Sequence, residues 1–156
     1  MRVISLYQPY ASLLVLGVKK WETRCWYPKS KEIYGTIGIH ATAVTPKWAR
    51  EDPELIRICA KYNLTIKNLP RGVILGTCDL ISAMSTEDWR LKFDVDQPDT
   101  RPIDEFWLGD YKPKRFAWEM QNPVLFDHPI KAKGFQKFWN YETPKVNAKT
   151  GQLHLF

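Results

Sequence analysis

Three charged side chains, Lys19, Glu22 and Arg24, arrive within six residues of one another between two apolar segments. A lysine or a glutamate can act as a base on a bound substrate. An arginine beside them can hold a phosphate or a carbonyl oxygen. The same trio can equally be an ion-pair cluster that pins a strand. Residues 21–26, Trp-Glu-Thr-Arg-Cys-Trp, are rich in aromatic residues and carry a threonine, so they read as a strand. Side chains alternate along a strand, so Glu22, Arg24 and Trp26 share one face, and Trp21, Thr23 and Cys25 the other. Lys19 is expected to stand partly exposed at the border of the groove that the first face meets. Gln8 precedes a proline, and its amide can both donate to and accept from a base edge. His40 ends an apolar segment, where it is either a satisfied core histidine or part of a cleft floor.

These residues need elements to hold them. Residues 2–7 suit a strand, and Pro9 can open a helix whose apolar face is Ala11, Leu14, Val15 and Val18. Gly17 is its expected stop. A strand over 35–42 follows, then a helical stretch over 46–62 with Asp52 as N-cap and Pro53 in the first turn of its main part. Residues 73–82 read as a central strand, and a helix starts near Ser85 with acids in its first turn. Residues 94–114 read as a long excursion, 115–121 as a strand, 123–129 as an edge segment, and 133–138 as a turn into a last short strand. Many strands with two or three helices fit a small mixed barrel, an α+β fold.

Composition bounds the partners. The 156 residues suit one domain, and 44% apolar content suffices for a core. No apolar run approaches the roughly 20 residues that cross a bilayer. The first residues read as a strand and lack a signal peptide's pattern. Three cysteines with no Cys-x-x-Cys spacing argue against a disulfide framework and a zinc site, and for a reducing, cytoplasmic setting. His128 and His154 have no ligand spacing, so no metal is expected. Neither Gly-x-Gly-x-x-Gly nor a P-loop occurs, so no cofactor is expected. A net charge of +6 with seven tryptophans favours an anionic, stackable partner such as RNA or a nucleoside.

The order of the motifs resembles the ASCH domain family, which is similar to the PUA-like RNA-binding barrels. The carriers are Gln8-Pro9-Tyr10-Ala11, Gly17-Val18-Lys19 with Arg24 five residues on, Ile39-His40-Ala41, the strand over 72–80, Phe116-Ala117-Trp118-Glu119-Met120, and Lys131-Ala132-Lys133-Gly134. The resemblance implies a PUA-like mixed β-barrel with flanking short helices over residues 1–145, and a tail at 146–156. It implies RNA or a modified nucleoside in a basic cleft formed by Gln8, Lys19, Glu22, Arg24, Trp26 and His40. Some members of the family remove the acetyl group of N4-acetylcytidine, using the lysine of Gly-x-Lys, a threonine three residues later and a later glutamate. That lysine is Lys19 here, but Glu22 stands at the threonine position, where it would have to act as a general base. Asp79 and Glu87 are the candidates for the later acid. Ribonuclease activity within the family is a further alternative. A protein-interaction module using residues 94–114 is the non-catalytic one.

Overall fold

A computed structural model describes residues 1–142, so the expected tail at 146–156 lies outside the described residues. The chain opens with β1 (Arg2–Leu6), which runs parallel to β3 (Gly35–Ala41), placing Ser5 opposite His40. β3 pairs antiparallel with β4 (Val73–Ser85), and β4 with β5 (Phe116–Lys131). The edges are β2 (Trp21–Arg24), antiparallel to β5, and β6 (Trp139–Asn140), antiparallel to β1. The result is one six-stranded mixed sheet in the order β2-β5-β4-β3-β1-β6. The sheet curls without closing, and no ladder joins its two edges among the described residues. Arg24 on β2 instead donates to the Ser5 carbonyl on β1 at 3.1 Å.

The inner face of the curl holds the main core, with Ile4, Leu14, Ile37, Ile39, Leu75 and Trp118 buried together. The short helix α1 (Tyr10–Val15) contributes to it, and Leu13 on its other side packs against Leu55, Ile58 and Leu108. The helical stretch over 46–62 is two helices, α2 (Lys47–Glu51) and α3 (Pro53–Lys61). Asp52 breaks it because its backbone is extended while its carboxylate accepts from the N–H groups of Glu54 and Leu55, at 2.8 and 3.2 Å. Ser85 caps α4 (Thr86–Lys92) in the same way, accepting from Asp88 N–H at 3.1 Å.

Two segments depart from the expected pattern. β5 runs 16 residues and absorbs the segment over 123–129, despite Pro123 and Pro129. β2 flanks only Phe116–Glu119, so those prolines fall where one side of β5 has no ladder to lose. The excursion over 94–114 contains a one-turn helix, α5 (Asp104–Trp107), and is fastened to the body. Asp104 pairs with Arg57 at 2.8 Å and Lys61 at 2.7 Å, and Arg101 pairs with Glu54. Glu105 accepts from the N–H groups of Lys20 and Trp21, at 2.9 and 2.8 Å. Burial raises the Glu105 carboxyl above its ordinary range, against the pull of nearby Lys19. Tyr111 of this segment stacks on Trp89 of α4 with centroids 3.7 Å apart.

Candidate functional site

A groove of about 1260 Å³ opens between β2 and the ends of β1 and β3, and residues 106–112 and 132–137 form further parts of its lining. Glu22, Arg24, Trp26 and His40 all line it. Strand alternation accounts for the first two, which leave β2 on the same side. Glu22 is the pivot: its Oε1 accepts from Thr23 N–H at 3.0 Å and lies 3.8 Å from Lys19 Nζ, while its Oε2 lies 3.5 Å from Arg24 Nη2. Thr23 and Cys25 also line the groove, and the Thr23 hydroxyl accepts from Asp110 N–H at 2.9 Å. Trp26 meets Trp118 edge-on, with centroids 4.7 Å apart.

Two expected groove residues lie behind the wall instead. Lys19 was expected to be partly exposed; it is 1% exposed and does not line the groove. The reason is the excursion, which packs over the turn between α1 and β2. Its Leu108 carbonyl and the Trp21 carbonyl both accept from Lys19 Nζ. The ammonium also sits 5.6 Å from the centre of the Tyr10 ring. Gln8 is fully buried. Its Oε1 accepts from Ser12 N–H at 3.0 Å, satisfying a donor left open at the start of α1. Its Nε2 donates to Ser12 Oγ and to the Pro70 carbonyl, both at 2.7 Å. No group of its amide is left to read a base.

His40 is committed at both ring nitrogens. Nε2 lies 2.7 Å from the Ala132 carbonyl and therefore carries the proton, which leaves Nδ1 to accept from Ser5 Oγ at 3.0 Å. Trp139 Nε1 donates to that same hydroxyl at 3.0 Å. Burial holds the imidazole below its ordinary value, and the Ala132 bond offsets this only in part. Gly134 lies so close that a Cβ there would stand 2.6 Å from the ring, so glycine lets the segment over 132–137 pack down on His40. His40 builds the wall and has no ring nitrogen left for a ligand.

Neither candidate for the later acid faces the groove. Asp79 accepts from Thr36 and Asn122 at 2.8 and 2.9 Å, and Glu87 accepts from Lys114 N–H at 2.7 Å. Burial pushes the Tyr10 hydroxyl well above its usual range, and the charges of Asp52, Glu22 and Asp110 push it the same way.

The groove also gathers residues that the sequence reading did not single out. Its basic lining residues are Arg24, Arg90, Lys112, Arg115, Lys133 and Lys137, against the acids Glu22, Asp52 and Asp110. Arg90 is taken up by Asp96, and Arg115 faces Asp110 at 3.7 Å. Lys112, Lys133 and Lys137 make no ion pair among the described residues. Three rings stand out into solvent at the groove: Tyr7 is 48% exposed, Trp48 54% and Phe135 56%. The signal that could have found the last of them is local, since Lys133, Phe135 and Lys137 alternate base-aromatic-base. Trp48 carried no such signal.

Among the described residues no group of three His, Cys, Asp or Glu side chains could hold a metal, and no helix is long and apolar enough to cross a membrane. The three cysteines are free thiols.

A curled, mixed α+β sheet with a basic, ring-lined groove at the β1–β2 opening defines a cleft-bearing domain of the PUA-like class. The chain belongs to the ASCH domain family, whose model matches residues 4–129. It is 29% identical over 148 residues to human activating signal cointegrator 1, and 28% identical over 147 residues to the mouse protein of that name. Each match covers 90% of this chain and 22% of the relative, so the chain spans about a fifth of the length of these relatives. A crystal structure of an ASCH protein from Zymomonas mobilis is similar at 17% identity and a TM-score of 0.48, covering 83% of this chain and 72% of that one.

Proposed function

We propose that this ASCH domain binds single-stranded RNA along the groove. The observation that carries the reading is the coincidence, in one groove, of three lysines without ion-pair partners and three solvent-facing rings. Lysines meet phosphates and aromatic faces stack bases without regard to sequence. The size of the groove points the same way. At about 1260 Å³ it exceeds the roughly 300–1000 Å³ that encloses a small ligand, so it suits a strand better than one nucleoside. Free thiols suit a reducing, cytoplasmic setting.

One observation favours a second reading, deacylation of an acylated pyrimidine nucleoside. The Glu22 carboxylate lies in the groove with the Lys19 ammonium 3.8 Å away, an arrangement in which a carboxylate can take a proton from water. Against it, Lys19 is walled off by two carbonyls, and both candidates for the later acid point elsewhere.

Fluorescence anisotropy with labelled single-stranded RNA at a series of salt concentrations tests the first reading. Contacts to phosphates release counterions, so affinity falls linearly on logarithmic axes as salt rises. Binding absent at low salt, or flat across salt, overturns it. Incubation with N4-acetylcytidine in parallel tests the second, through release of cytidine.

A further inference from the structure

We infer that Tyr7, Tyr10, Trp48 and Asp52 form a subsite in the RNA groove for a positively charged, N-methylated nucleobase. This rests on the RNA reading above and names a class of modified base that the groove selects.

All four residues line the groove. Two of the rings come from the turn between β1 and α1, and the third from α2. Trp48 meets Tyr7 with centroids 6.3 Å apart at 85°, and Tyr10 with centroids 6.3 Å apart at 40°. Tyr10 is half-buried and packs against both the main core and the cluster around Leu13, so it anchors the group. Tyr7 and Trp48 stand out from that anchor into solvent. Rings held at a right angle and left open to water offer both a face and an edge to whatever enters the groove.

Asp52 supplies the charge. It follows Trp48 by four residues, one turn along α2, so the two lie on the same side of that helix. Its Oδ1 is committed to the N–H groups of Glu54 and Leu55, and its Oδ2 has no hydrogen bond among the described residues. It makes no ion pair among them either. That sets it apart from the other acids of the lining, since Glu22 has Lys19 and Arg24, and Asp110 has Arg115. Burial raises the Tyr10 hydroxyl, and Asp52 leads the charges that add to the rise, ahead of Glu22 and Asp110. The carboxylate therefore stands beside the rings. Among the described residues one cation approaches them: Lys19 Nζ lies 5.6 Å from the centre of the Tyr10 ring. It does not line the groove, and its charge is met by Glu22 and two carbonyls.

The groove is thus divided by charge. Lys112, Lys133 and Lys137 lack an acid, and Asp52 lacks a base. A ligand that satisfies both carries phosphates and a cation in one molecule. RNA acquires such a cation when a base is methylated on a ring nitrogen, as in 1-methyladenosine and 3-methylcytidine at neutral pH. The methylated base is flat, so it stacks on an exposed ring as any base does. Its charge adds a cation–π attraction, strongest on tryptophan, and gives the Asp52 carboxylate a partner. An unmodified base gains the stacking alone. A lysine or arginine of a protein partner would satisfy Asp52 but would bring no phosphate to the three lysines.

The test uses the intact protein and short labelled oligouridines that differ at one central base. That base is 1-methyladenine or its neutral counterpart N6-methyladenine, and 3-methylcytosine or its neutral counterpart 5-methylcytosine. The members of each pair carry one methyl group each and differ in charge at neutral pH. Binding is followed by anisotropy. Each cationic strand is expected to bind about fivefold more tightly than its counterpart, the size of one cation–π contact. Asp52→Asn removes the charge and keeps a side chain that caps a helix as well as aspartate does, so it is expected to shrink both ratios. Each ratio is taken within one protein, so partial loss of folded variant cancels, and the strand series on the unaltered protein stands without the variant. Equal binding within the pairs, or tighter binding of the neutral strands, overturns the inference and leaves the RNA reading in place. Ratios unchanged in Asp52→Asn overturn it too. Tighter binding of a trimethyllysine peptide than of any strand gives the rings to a protein partner and also overturns it. Binding of no strand overturns both readings.

Discussion

Replacing Lys19 by methionine should unsettle the fold before it touches any ligand. The side chain is 0% exposed, and its ammonium bridges the carbonyls of Trp21 and Leu108, 89 residues from Lys19 in the case of Leu108. Methionine keeps the length and apolar stem but leaves both carbonyls without a donor and Glu22 without its neighbour. A hydrogen bond involving a charged group contributes about 1.5–3 kcal/mol, and removing one member of a buried charged pair costs about 3–5 kcal/mol. The methyl terminus recovers some packing, so about 3 kcal/mol is the expected loss. Total stability for such a domain is about 5–15 kcal/mol, so the variant should still fold. With a urea dependence of about 2 kcal/mol per molar, the unfolding midpoint should drop by about 1.5 M. The assay is urea unfolding followed by tryptophan fluorescence and by circular dichroism. A midpoint within about 0.3 M of the parent protein would refute the reasoning, because it would mean the ammonium pins nothing.

Ala substitution at both Lys133 and Lys137 should lower the salt slope of RNA binding by about 1.4, since each phosphate contact on a single strand contributes about 0.7; anisotropy across salt checks it. Trp48→Ala should weaken RNA binding by about 1–3 kcal/mol with little change in urea midpoint, because the ring is 54% exposed and its role would be stacking. His40 is held below its unfolded value of 6.5, so its contribution is present above pH 6.5 and is lost as pH falls through the folded value. Stability of the parent protein should therefore fall below pH 6.5 more steeply than that of His40→Gln, as urea midpoints at several pH values will read. Cys25 should react with a thiol reagent well before the other two, because Cys25 is exposed while burial pushes Cys59 up to about 11 and Cys78 up to about 12. Equal rates at all three would contradict it.

What could be read in the sequence was local. The alternation in residues 21–26 was enough to put Glu22 and Arg24 on one side, because one strand decides that. The N-cap of Asp52 was legible for the same reason, as its partners are two and three residues away. The burial of Lys19 and Gln8 was not, because their partners, Leu108 and Pro70, are 89 and 62 residues distant and nothing nearby announces them. The sequence reads as a strand over 115–121 and a separate edge segment over 123–129, whereas β5 runs through both, Pro123 and Pro129 included. Only the three-dimensional pairing shows that they sit where β2 no longer flanks the strand. The basic and aromatic lining of the groove comes from separate segments around 7, 48, 112 and 132–137, so its charge emerges only when they meet.

The carboxylate of Glu105, which closes the start of β2 by taking two backbone N–H groups, has a use in measuring motion. The amides of Lys20 and Trp21 are shielded from solvent deuterium through an element more than 80 residues away in sequence. Any event that lifts α5 off the body must release both at once, whereas fraying of β2 alone would release the β2–β5 ladder amides instead. Exchange at these two positions is thus a gauge of how often that wall of the groove opens, and on what timescale. A ligand that needs the wall open should speed their exchange, and one that seats against the closed wall should slow it.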